Sequence, residues 1–191
     1  MFKNIRYTLI FLLCLTLTAC GFHLRGKVDV PPLLKKVYID SSTPYAPFEQ
    51  ALRQTLISSK IDVVDDSSHA SAIIKLENTN VQQSVGSISA DNSTRDYTLT
   101  LSVGYQIILP DGTVVYGSSV STNRTFTASV NQMLASNSQA QGLEADMYHE
   151  TVYLMTSQIS SEDARKAMVK AEKSQAKKTS KKANTSTKTT P

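Results

Sequence analysis

The sequence predicts an α+β sandwich in which two helices pack on one face of a four-stranded, mostly antiparallel sheet. Three observations carry that prediction. Tyr97, Leu99, Leu101, Val103, Tyr105, Ile107 and Leu109 fill odd positions, while Thr98, Thr100, Ser102, Gly104 and Gln106 fill even ones. That two-residue period is the mark of a strand with one buried and one wet face. Phe48, Ala51, Leu52, Thr55 and Leu56 recur at the spacing of a helix with a single apolar stripe. Met147, Tyr148, Thr151, Val152, Leu154, Met155 and Ile159 form the buried side of a second helix.

The elements follow in order. Lys35 to Asp40 reads as a strand, with Val37 and Ile39 on one face. Ser41 to Pro47 is a loop, and Pro47 suits a first helical turn, where its missing N–H would lack a partner anyway. The helix runs to about Ser59, with Arg53 and Gln54 outward. Ile61 to Val64 is a short apolar run and Asp65 to His69 a polar break. Ala72 to about Val85 is a long strand that turns polar after Leu76, and Gly86 to Thr94 is the hairpin tip. Pro110-Asp111-Gly112-Thr113 is a turn by its residue types. The next strand sets Val114, Tyr116, Val120 and Phe126 on one face. Asn131 to Gly142 shows little periodicity, so the second helix is placed at about Leu143 to Ile159. The first strand, helix and following long strand are expected to form a right-handed crossover. Both helical stripes would then cover the odd-position face.

The N-terminus sets the domain organisation. Lys3 and Arg6 precede an apolar stretch from Tyr7 to Leu17, and Leu17-Thr18-Ala19-Cys20 is a lipobox. The apolar run is shorter than the roughly 20 residues a spanning helix needs. Residues 1–19 are therefore read as a cleaved signal peptide. Residues 20–32 form a lipidated N-terminus and linker, 33–163 the α+β domain, and 164–191 a basic, low-complexity, disordered tail. Cys14 leaves with the signal and Cys20 is lipidated, so no disulfide forms within one mature chain.

The net charge of +4 hides a separation. Lys3 and Arg6 are removed, and the tail carries nine basic residues against Glu172, or +8, which leaves −6 on residues 20–163. An acidic body argues against a nucleic-acid partner, whose binding domain would carry its basic residues on a folded face. No catalytic constellation survives inspection. Asp62, Asp65 and Asp66 lack partners at metal or acid–base spacing and read as a solvated turn. His23, His69 and His149 have no second ligand nearby, and the seven glycines form no phosphate loop. No enzyme activity, metal or cofactor is expected beyond the covalent diacylglycerol and N-acyl chain on Cys20.

Cys20-Gly21-Phe22-His23-Leu24-Arg25 resembles the start of the mature chain in the LPS-assembly lipoprotein family LptE, also called RlpB. Val30-Pro31, Ala51-Leu52-Arg53, Tyr97, Arg124 and Asn131-Gln132-Met133-Leu134-Ala135 extend the likeness. The resemblance implies two helices on a four-stranded sheet. It also implies an outer-membrane lipoprotein facing the periplasm, seated as a plug in the LptD β-barrel. Together the pair would insert lipopolysaccharide at the cell surface. Two basic residues tied to lipopolysaccharide contact in the family align near Ala90 and Ser136, neither of which is basic. Arg95 and Arg124 are the nearest substitutes, with a solvated strand residue or an ion pair to Asp96 as the competing reading.

The even face of the long strand supplies the candidate interface. Thr98, Thr100 and Ser102, with Ser119, Ser121 and Asn123 on the next strand, are polar but uncharged. A free soluble domain would spread charge there, whereas small hydroxyl side chains fit close approach to a barrel's polar lumen. The plainer account is threonine's strand propensity. As a competing function, an auxiliary lipoprotein of a periplasmic ABC-type lipid-transport system accounts for the anchor and fold but not for His23-Leu24-Arg25.

Overall fold

A computed structural model describes residues 31–129 and 131–186. The expected signal peptide, Cys20 and the linker as far as residue 30 lie outside the described residues, as do residues 187–191. The chain opens with a 3-10 turn, Pro32–Lys35, followed by β1 (Lys36–Asp40), α1 (Pro47–Ser58) and β2 (Asp62–Val64). A second 3-10 turn, Ser67–His69, leads into β3 (Ala72–Ile88), β4 (Thr94–Ile108) and β5 (Val114–Ser129). Then come α2 (Met133–Ile159) and α3 (Glu162–Ser186). The sheet order is β2-β1-β3-β4-β5. β1 runs parallel to β2 and β3, and the other two pairings are antiparallel.

The α+β sandwich is as the sequence predicts, but the element counts differ. The run at Ile61 becomes a fifth strand because α1 ends in a Schellman motif. Lys60 takes φ 64, and the N–H of Ile61 reaches back 3.0 Å to the carbonyl of Leu56. This reversal sets Asp62–Val64 beside β1. α2 starts ten residues earlier than periodicity suggests, at Met133. Its first turns touch the domain through few apolar side chains, among them Ala140 and Leu143, so a strong stripe never develops there.

The expected disordered tail from Ala164 is corrected for its greater part, because α3 runs from Glu162 to Ser186. Ala164 and Met168 are fully buried, and Ala171 packs beside them. Two small residues and one flexible thioether bury little surface by composition, yet they fill the space beside β5 and the Pro32–Lys35 turn. The folded domain therefore extends past residue 163.

The core lies between the helices and the odd-position face of β4, as expected. Leu99, Leu101, Val103, Tyr105 and Ile107 are all buried, and Phe48, Leu52, Met147, Val152, Met155 and Ile159 cover them. β3 and β4 are long, 17 and 15 residues, so the hairpin extends roughly 50 Å. The β4–β5 turn, the start of β3 and the Pro32–Lys35 turn share one end of the molecule. The Ser89–Ser93 turn, the end of β5 and the start of α2 share the other, distal end.

Candidate functional site

Two bulges decide which side chains of β3 look which way. Glu77 pairs with Gly104 and Asn80 with Ser102, so β3 holds one extra residue there, with Asn78 at φ 48. Gly104 permits the close pass, since a Cβ at that position would lie 3.2 Å from the Glu77 carbonyl oxygen. The extra residue reverses the alternation. Ile74 and Leu76 face the helices before the bulge, whereas Asn80, Gln82 and Ser84 face the opposite side after it.

That opposite side is the candidate interface, and among the described residues no helix covers it. Registration brings the predicted residues together in rows. Asn80, Ser102 and Ser121 align, as do Gln82, Thr100 and Asn123, then Ser84, Thr98 and Thr125, with Ser119 opposite Gly104. The Ser102 and Ser121 hydroxyls lie 3.1 Å apart, and those of Thr98 and Thr125 lie 3.4 Å apart. None of these eleven residues carries a charge. The grid is framed at the distal end by Asp96, which accepts from Ser87 and Thr127. These two hydroxyl groups, Ser87 first, hold its carboxyl below the usual carboxylate range. At the opposite end Gln106 donates to Glu77 at 2.9 Å. Beyond them a band of apolar side chains crosses the same face on all five strands: Val64, Tyr38, Ile73, Ile108 and Val114. Sequence reasoning passed over this band and the β3 side of the grid. Each strand contributes one member to the band and β3 three to the grid, and only the register aligns them.

Arg95 and Arg124 lie on the helix-facing side, away from the grid. Arg124 pairs with Leu99 of β4 in register, and its guanidinium meets the Glu150 carboxylate of α2. Arg95 is exposed at the distal end, where it lines a cleft of about 210 Å³ with Gln83, Tyr97, Phe126, Ser136 and Asn137. Tyr97 and Phe126 stack there with ring centroids 5.5 Å apart. Neither arginine pairs with Asp96, which sits on the other face of the sheet. The cleft does join Arg95 to Ser136, and Ala90 lies in the neighbouring turn.

The acidic residues near β2 serve the fold. Asp65 accepts from Arg53 of α1 at 3.1 Å, and Asp66 caps the Ser67–His69 turn through the Ser68 N–H at 2.8 Å. That backbone hydrogen bond, with the Ser68 hydroxyl next, lowers the Asp66 pKa.

A family model described as LptE, lipopolysaccharide-assembly, matches residues 34–159. The chain belongs to the LptE family. The LPS-assembly lipoprotein LptE of Photorhabdus laumondii is 32% identical over 153 residues, covering 80% of this chain and 84% of the relative. That of Pectobacterium atrosepticum is 37% identical over 123 residues, 63% of this chain and 66% of the relative. Among solved structures, lipoprotein B from Nitrosomonas europaea superposes with a TM-score of 0.60 at 22% identity, over 73% of this chain and 90% of that one. Rare lipoprotein B from Shewanella oneidensis gives 0.56 at 17% identity, over 72% and 98%. These two likenesses concern the fold. The LptE match stops at Ile159, so all of α3 lies beyond it, whereas the uncharged grid and the distal cleft fall within it. No helix among the described residues is long and apolar enough to cross a membrane.

Proposed function

We propose that this LptE-family chain is an outer-membrane lipoprotein, anchored on the periplasmic side through acyl chains on Cys20. It plugs and helps assemble the LptD β-barrel, and the pair inserts lipopolysaccharide into the outer leaflet. The role is binding and assembly rather than catalysis. The observation that carries this reading is the uncharged grid of Ser, Thr, Asn and Gln on the open sheet face. A large barrel offers a polar lumen, and short neutral side chains pack against such a wall without burying unpaired charge. The apolar band beside the grid adds area that benefits from leaving water. Lipopolysaccharide contact falls to Arg95, a cation that shares its cleft with a stacked aromatic pair and Ser136. Arg124 is the weaker candidate, because Glu150 already neutralises it.

Detergent extraction of the lipidated protein followed by affinity purification tests the reading. A large heat-modifiable β-barrel is expected to co-purify. Recovery of an ABC transporter's subunits without a barrel would overturn it in favour of an auxiliary transport lipoprotein.

A further inference from the structure

We propose that the outer face of α3 docks on the anionic phospholipid headgroups of the leaflet that holds the Cys20 lipid. α3 has two opposed faces. Ala164 and Met168 are buried against the domain, while Arg165, Lys166, Lys170, Lys173 and Lys177 are all exposed. Lys166, Lys170, Lys173 and Lys177 follow helical spacing and form one row. Glu162 meets Lys166 at 2.6 Å, Asp163 is exposed in the same first turn, and Glu172 is half-buried on the flank; the five basic residues from Arg165 to Lys177 still outnumber these three acids.

Position and shape select a lipid surface. From Lys166 to Lys177 the row runs along about 16 Å of helix, enough to span several headgroups rather than one phosphate. Val169, 41% exposed, lies among the lysines and offers an apolar contact at the headgroup boundary. α3 also packs on the Pro32–Lys35 turn. From that turn the chain leads back to Cys20 through residues 21–30, a tether reaching at most about 40 Å. On the anchor reading, the start of α3 therefore lies within that reach of the lipid. The choice of leaflet rests on the anchor reading above, whereas the cationic face does not. A lipid chain combined with a polybasic surface is a two-signal attachment. An anionic leaflet attracts α3 and repels the body, whose net charge is −4 between residues 20 and 161, so this contact fixes which side of the domain faces the membrane.

The test uses the mature chain carrying Cys20→Ala, so that no acyl chain contributes. Its cosedimentation is measured with vesicles of equal parts phosphatidylglycerol and phosphatidylcholine, and with phosphatidylcholine alone. Binding is expected to the first only, and is expected to disappear at high salt. Lys170→Gln with Lys173→Gln is expected to lower the partition coefficient about thirtyfold, at roughly fivefold per cation. Lys36→Gln with Lys75→Gln changes net charge equally on the open sheet face, and is expected to lower partition less than about threefold. Three results would overturn the proposal: no binding to the anionic vesicles, equal losses in both double variants, or binding to lipopolysaccharide dispersions alone at matched phosphate. Failure of the anchor reading is seen separately, as native protein without acyl mass.

Discussion

The hydroxyl of Thr122 on β5 lies 2.8 Å from that of Thr151 on α2, and both side chains are buried. This pair is a polar rivet inside an apolar contact, and it fixes how far α2 slides along β5. Thr151→Val is expected to destabilise the domain by about 1–3 kcal/mol, because it leaves the Thr122 hydroxyl buried without a partner. Thr122→Val with Thr151→Val removes both groups at constant shape and is expected to recover most of that loss. Denaturant unfolding of the single and double variants measures the coupling. Additive losses would show that the two hydroxyls do not depend on each other.

Met168 tests whether α3 belongs to the domain. It is fully buried, so Met168→Ala is expected to cost about 2–5 kcal/mol through lost burial and a residual cavity. Truncation after Lys177 is expected to leave the melting temperature nearly unchanged, whereas truncation after Ser161 is expected to lower it strongly. A chain ending at Ser161 that melts with the parent would return α3 to the status of a tail.

Asp91 in the distal turn accepts from the hydroxyls of Ser89 at 2.6 Å and Ser93 at 2.9 Å, and from the Ser93 N–H at 3.1 Å. These hydrogen bonds, the Ser89 hydroxyl foremost, lower its pKa from 3.8 to about 2. A depressed folded-state value means the turn is favoured above the unfolded pKa near 3.8 and loses that support as pH falls toward about 2. Asp91→Asn is expected to remove this part of the acid response, and a carboxyl NMR titration reads it directly. An Asp91 titrating at its ordinary value would show that the turn does not hold the carboxylate.

Thr100 stands in the middle row of the uncharged grid, between Gln82 and Asn123. Thr100→Arg is expected to change the isolated domain's stability by no more than about 0.5 kcal/mol, since the site faces solvent. It is expected to weaken assembly with the barrel by several kcal/mol, because a packed interface would bury an unpaired charge. If the variant assembles as well as the parent, the plug docks through its helices or loops.

Elements with a strong local period were legible in the sequence alone. Odd-position burial from Leu99 to Leu109, the stripe of α1 and the second half of α2 follow from side-chain spacing, because the period itself decides which face meets the core. The neutral Ser/Thr pattern of β4 and β5 was equally visible, although its assembly into rows was not. Tertiary structure decided what spacing leaves open. The β3 bulge at Asn78 reverses alternation, and nothing local in Glu77-Asn78-Thr79-Asn80 says on which face the later residues emerge. Arg95 and Arg124 look alike along the chain, but α2 brings Glu150 to one and leaves the other in an aromatic cleft. α3 has the composition of a disordered segment, and it becomes part of the domain because β5 and the Pro32–Lys35 turn provide a surface that Ala164 and Met168 fit. Local sequence sets the period of an element, whereas the partner that covers each face comes from parts of the chain far away in sequence.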